Sequence, residues 1–158
     1  MTAGVKKVFV TRLTDVDTSD KDGVGTIRFE GANVYKYVQV KNHTATVAGA
    51  VGSLVGYFAG TGWANSRVVV DLSDADTIPV GAGALLAVIT GTLDVAYYAW
   101  MQIKGQITLD TSVTSGAAGK SFYLTGTDKT AAIGATDYDQ LIGVSLDGTT
   151  KVLLNAPF

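Results

Sequence analysis

Few residues in this chain have side chains suited to catalysis. His43 is the only histidine and cysteine is absent. A Ser-His-Asp triad would have to use His43. No serine stands in the G-x-S-x-G turn that exposes a nucleophile, and Gly52-Ser53-Leu54-Val55-Gly56 has the wrong spacing. One histidine without cysteine cannot assemble a tetrahedral zinc site, unusual carboxylate-rich sites aside. With no disulfide to read, redox chemistry says nothing of the compartment. His43 follows Asn42 just after an expected strand and reads as a turn or surface residue.

Glycine-rich phosphate loops fail for a similar reason. Gly23-Val24-Gly25 is followed by Arg28 where the third glycine should stand, and Gly81-Ala82-Gly83 by Leu86. Neither leads into an expected helix, so the helix N-terminus that would hold a phosphate is missing. Gly119-Lys120-Ser121 ends like a P-loop, but Thr114 occupies the place of its first glycine. The aspartates are the best polar candidates left. Asp15-Val16-Asp17-Thr18-Ser19-Asp20-Lys21-Asp22-Gly23 superficially resembles a calcium loop. In that register Asp20 replaces the glycine at the sharp turn and Thr26 replaces the bidentate glutamate. Asp71, Asp74 and Asp76 read as turn formers that bond their own backbone. Glu30 is the only glutamate, which argues against a glycosidase carboxylate pair. No cofactor and no metal site is expected.

The aromatic residues are denser. Tyr97-Tyr98-Ala99-Trp100 places Tyr98 and Trp100 on one face of a strand and Tyr97 on the other. Core packing, a subunit interface and a sugar-stacking platform are all open to such a cluster, with core or interface favoured.

The elements that must position these residues are strands. The chain has 158 residues, ample for one domain with a substantial core. Thr, Val, Gly and Ala supply about half of it, and only 16% is charged. These types suit strands and turns, whereas helices draw on Glu, Lys and Leu. The net charge of −2 gives no reason to expect a nucleic-acid partner. No apolar stretch of signal-peptide length follows the first lysines, so Sec-dependent secretion is not expected. Residues 44–66 carry no charge, yet Gly, Ser, Thr and Asn recur through them. They read as buried strands joined by glycine turns, not as a membrane span.

An all-β fold is therefore expected: a compact sandwich or barrel of short strands with an N-terminal arm. Residues 1–30 differ in composition and are read as an arm or peripheral hairpin, with residues 31–158 forming the β domain. Strands are expected at 35–41, 54–58, 67–72, 85–90, 95–109 (broken near Gly105), 121–124, 140–145 and 151–154. Val8-Phe9-Val10 forms a further short strand, and 14–25 a polar loop. Asp147-Gly148 turns a terminal hairpin. Tyr37-Val38-Gln39-Val40-Lys41 matches Trp100-Met101-Gln102-Ile103-Lys104, which suggests two similar β motifs at 35–72 and 98–154.

Four segments in order look familiar. They are Ile78-Pro-Val-Gly-Ala-Gly-Ala-Leu-Leu-Ala-Val-Ile89, Ala96-Tyr-Tyr-Ala-Trp-Met-Gln-Ile-Lys-Gly105, Ala117-Ala-Gly-Lys120 and Leu141-Ile-Gly-Val144. This order resembles that of the small capsid decoration proteins (head-stabilising or cement proteins) of tailed bacteriophages, over about residues 68–154. The resemblance implies a virion protein without catalysis, seated on the outside of an icosahedral shell and often trimeric. Its partners would be the major capsid protein and its own copies. On this reading the arm residues Val5, Lys7, Val8, Phe9, Val10 and Arg12 add a strand to the capsid. Tyr98, Trp100, Gln102 and Lys104 pack between subunits. For a free chain, the arm is expected to pack on its own domain. Two alternatives stay open: a glycan-binding surface module built on Trp63, Tyr98 and Trp100, and another virion component such as a tail or fibre-base protein.

Overall fold

The computed structural model describes residues 8–58, 66–73, 80–91, 93–133 and 141–156. Among them there are eleven strands and no helix. In chain order they are β1 (Val16–Asp17), β2 (Ile27–Glu30), β3 (Asn33–Val40), β4 (Leu54–Tyr57), β5 (Arg67–Val69), β6 (Gly81–Leu85), β7 (Tyr97–Thr108), β8 (Ser121–Leu124), β9 (Ala131–Ile133), β10 (Leu141–Ser145) and β11 (Lys151–Asn155). The all-β expectation holds, and the form is a barrel.

Strands β3, β5, β4, β6 and β7 pair in that order, and β7 returns to β3 to close the ring. Only the β3–β5 contact of this ring is parallel. Beyond β7 the sheet continues through β11, β10, β8 and β9, outside the barrel. Period-two alternation sorts the side chains. Val34, Val38, Val40, Val55, Tyr57, Val68, Ala99 and Met101 belong to the interior cluster. Leu54, Val69 and Ala84 belong to a second core, with Phe122, Ile142, Val152 and Leu154 of the outer strands. A third cluster of Tyr35, Tyr37 and Trp100 lies against Phe9, Leu13, Leu86 and Tyr98.

The structure corrects several expected boundaries. The strand expected at 85–90 lies at Gly81–Leu85, where small residues had suggested a turn. β7 runs unbroken through Gly105. There β3 ends as partner at Lys104, and β11 takes over from Lys104 to Thr108. Gly105 adopts φ +105°, and a Cβ on it would lie 2.0 Å from Asn33 Oδ1. The backbone thus turns from one partner to the next without leaving the ladder. Strands β1, β2 and β9 were not anticipated. Val8-Phe9-Val10 is not a strand.

The two similar segments turn out to be neighbours. Tyr37 stands opposite Trp100, with β3 and β7 antiparallel. The likeness stops there, because β3 next meets β5 in parallel while β7 meets β11 antiparallel. The composition change near residue 30 coincides with the Gly31-Ala32 turn between β2 and β3.

Substituting Gly105 by Ala should lower stability by roughly 1–3 kcal/mol, since an L side chain strains at this φ and collides with Asn33. Urea denaturation of the two chains measures it; an unchanged midpoint would contradict this account of the β7 hand-over.

Candidate functional site

The outward face of the β3–β7 pair carries the residues singled out from the sequence. Trp100 is fully buried there, 5.1 Å from the Tyr37 ring by centroid. Phe9 meets it edge-on at 5.4 Å. The cover is fixed by a polar relay. The Trp100 indole N–H donates to Thr11 Oγ1 at 2.8 Å, and the Thr11 hydroxyl donates to Asp22. The same carboxylate accepts the amides of Val10 and Thr11 at 2.9 and 3.0 Å. Arg28 completes the clasp. Its guanidinium lies over the Phe9 and Trp100 rings, donates to the Thr11 carbonyl and pairs with Glu30.

This geometry decides where each expected site residue stands. Phe9 and the Val10 amide are engaged within the chain, as expected for an arm that packs on its own domain. The Val8 and Val10 side chains are exposed, and the Arg12 amide donates to Asp15. Val5 and Lys7 lie outside the described residues. Trp100 and Gln102 are corrected as interface residues: they are 0% and 3% exposed in the single chain, leaving almost no surface for a neighbour. Gln102 instead donates to the Gln106 carbonyl. Tyr98 is half-buried and accepts from Gln39. Lys104 is exposed and borders an open groove of about 540 Å³, shared with Gln106, Gly143, Leu153 and Asn155. Trp63 lies outside the described residues.

The aspartates act as caps. Asp20 accepts the amides of Gly23 and Val24, and Asp71 takes Ala45 and both donors of Ser73. Asp74 and Asp76 lie outside the described residues. Ser53 accepts the Ala50 amide and donates to Asp110, while His43 lies against Phe58. Among the described residues no group of three acids or histidines converges on one point. The Tyr37 hydroxyl is buried and makes no hydrogen bond of ordinary geometry among the described residues. Burial raises its pKa; the nearby Lys21 amide offsets part of this, and Asp17, Asp20 and Asp22 add to the rise.

One polar pair escaped the sequence reading altogether. Lys36 faces the barrel interior, 3% exposed, and donates to the Tyr57 hydroxyl at 3.0 Å. Burial lowers the Lys36 pKa and raises that of Tyr57 to about 12. Alternation alone places Lys36 among Val34, Val38 and Val40. Its residue type does not mark it as interior, because lysine is usually exposed.

No protein-family model, curated protein or solved structure matches this chain.

Two outcomes follow from these contacts. Thr11→Val keeps the shape but strands the indole N–H and removes a donor to Asp22. It should cost about 1–3 kcal/mol and shift the emission of Trp100, read in a Trp63→Phe background; an unchanged melt would show the relay to be dispensable. For the interior pair, stability should rise with pH from the lowered Lys36 value toward 10.5, because the unfolded chain binds a proton that the folded barrel rejects. Between pH 10 and about 12 Tyr57 opposes this, since it stays protonated only when folded. Denaturation across the alkaline range, compared with Lys36→Met/Tyr57→Phe, isolates both terms; parallel profiles would refute the assignment.

Proposed function

We propose that this chain is a structural protein of a bacteriophage virion that binds the outside of the assembled capsid and stabilises it. The observation that carries the reading is the placement of the four familiar segments. The described part of the first forms β6, the second β7, the third the turn into β8, and the fourth β10. They contribute to one connected sheet that wraps from the barrel into its outer layer. A rigid body whose aspartates cap backbone amides, with an exposed rim, suits recognition by shape. Such a protein acts by mass action. Binding only the assembled lattice, it stabilises that state by about 2.7 kcal/mol at a hundredfold excess over Kd.

The three-fold assembly implied by the resemblance belongs to the same proposal. Its contact would draw on Tyr98 and Lys104, not on the buried Trp100 and Gln102. A glycan platform is favoured less, because Trp100 lies beneath Phe9 and Thr11.

Purified protein mixed with expanded shells of the phage encoding it should co-sediment and appear as regular outer density by electron microscopy. It should also raise the temperature at which the shells rupture. Shells that stay bare and rupture unchanged would overturn the proposal.

A further inference from the structure

Barrel closure removes the sheet edges of five strands; among the described residues it leaves β2 and β9 at the ends of the sheet path and the two-residue β1 beside β7. The outer side of β9 is capped by Thr114, whose amide donates to Ala131 and whose carbonyl accepts from Ile133. Nothing among the described residues pairs with the outer side of β2, where only β3 is its neighbour.

Which backbone groups face outward can be worked out from the ladder. The Tyr37 amide donates to Thr26 and its carbonyl accepts from Gly25, so odd-numbered residues of β3 bond toward β2. Tyr35 and Asn33 follow the same parity, opposite Arg28 and Glu30. The two-residue turn at Gly31-Ala32, with positive φ at Gly31, makes Glu30 and Asn33 the closing hydrogen-bonded pair. Arg28 and Glu30 therefore bond inward. Ile27 and Phe29 direct their N–H and C=O groups away from the sheet, and the Phe29 side chain is 69% exposed.

We infer that two copies of this chain pair through their β2 edges, antiparallel, about a two-fold axis at Phe29. In that register the Phe29 residues of the two copies exchange both backbone bonds, and each Arg28 stands opposite Glu30 of the other copy. This follows from the order Arg28-Phe29-Glu30, which is its own charge complement when reversed. Sliding the axis to Arg28 would set Arg28 against Arg28, a destabilising cross-strand pair. The Arg28–Glu30 ion pair within one copy already holds both side chains on the face where the second copy's charges would arrive. A four-residue edge buries less than a stable dimer usually does. The association is therefore weak in dilute solution and strengthens where copies are crowded. It is isologous and distinct from a three-fold contact; each would form without the other.

Sedimentation equilibrium over a concentration series, joined to amide exchange of residues 27–30, tests this. Wild type should double in mass as concentration rises, from whatever smaller assembly it starts, with slowed exchange of the Phe29 amide over the same range. Phe29→Lys and Glu30→Arg should abolish both effects while melting like wild type. Mixing Glu30→Arg with Arg28→Glu should restore the doubled mass. Should Arg28→Glu fail to fold, Phe29→Lys and the exchange data decide the matter alone. A wild-type mass that never doubles, a doubling that leaves the Phe29 amide unprotected, or variants that associate as wild type does would each overturn the inference. None of these outcomes depends on capsid binding.

Discussion

The rest of the molecule depends on the register of β3 against β7. With Tyr37 opposite Trp100, the odd residues of β3 and the even residues of β7 face outward, while Val38, Val40, Ala99 and Met101 fill the ring. A slip of one residue would turn Trp100 into an interior already occupied by valines and expose Met101 to water. The same pairing closes the barrel, since β7 is the last of its strands and β3 the first. It also sets the origin of the outer sheet, because β11 begins where β3 runs out.

Buried polar groups then fasten distant loops to this frame. Asn42 accepts the Val70 and Asp71 amides through its side-chain oxygen, and Asp128 accepts those of Leu72 and Ser73. Ser53 reaches Asp110, and Trp100 reaches Thr11 across 89 residues of sequence. The bonds of the buried Asn42, Ser53, Thr11 and Trp100 satisfy groups that would be costly to bury alone, and all of these bonds join segments that loop entropy would otherwise separate. Two buried groups depart from this pattern: the Tyr37 hydroxyl lacks a hydrogen bond of ordinary geometry among the described residues, and Lys36 has a neutral phenol, its charge solvated by the Tyr57 hydroxyl and by the ring of Tyr57 at 4.8 Å.

With the interior filled and the Trp100 face covered, surface for partners is left at the rim. Among the described residues it includes the β2 edge, the exposed valines of the arm and the groove beside Lys104. A virion protein that binds by shape and repetition would use such features. Their small size individually fits an assembly in which many weak contacts act together.

The all-β class and the positions of β4, β8, β10 and β11 are legible in the sequence, because β-branched and aromatic runs between turn residues have few other uses. The failed zinc, phosphate and triad patterns are equally legible, since they turn on residue type and spacing. What alternation cannot say is which face is covered, and by what. Trp100 read as an interface residue because the strand pattern allows it. The arm, 89 residues earlier, makes it core through Phe9, Thr11 and Asp22. β6 was missed because glycine and alanine look like a turn until a neighbour needs the space. A Cβ on Gly81 would lie 2.3 Å from Ile142 of β10. The burial of Lys36 and the opening of the β2 edge are likewise products of closure. A lysine on an alternating strand has no fixed environment, and a strand has no free edge, until the ring of its neighbours is complete.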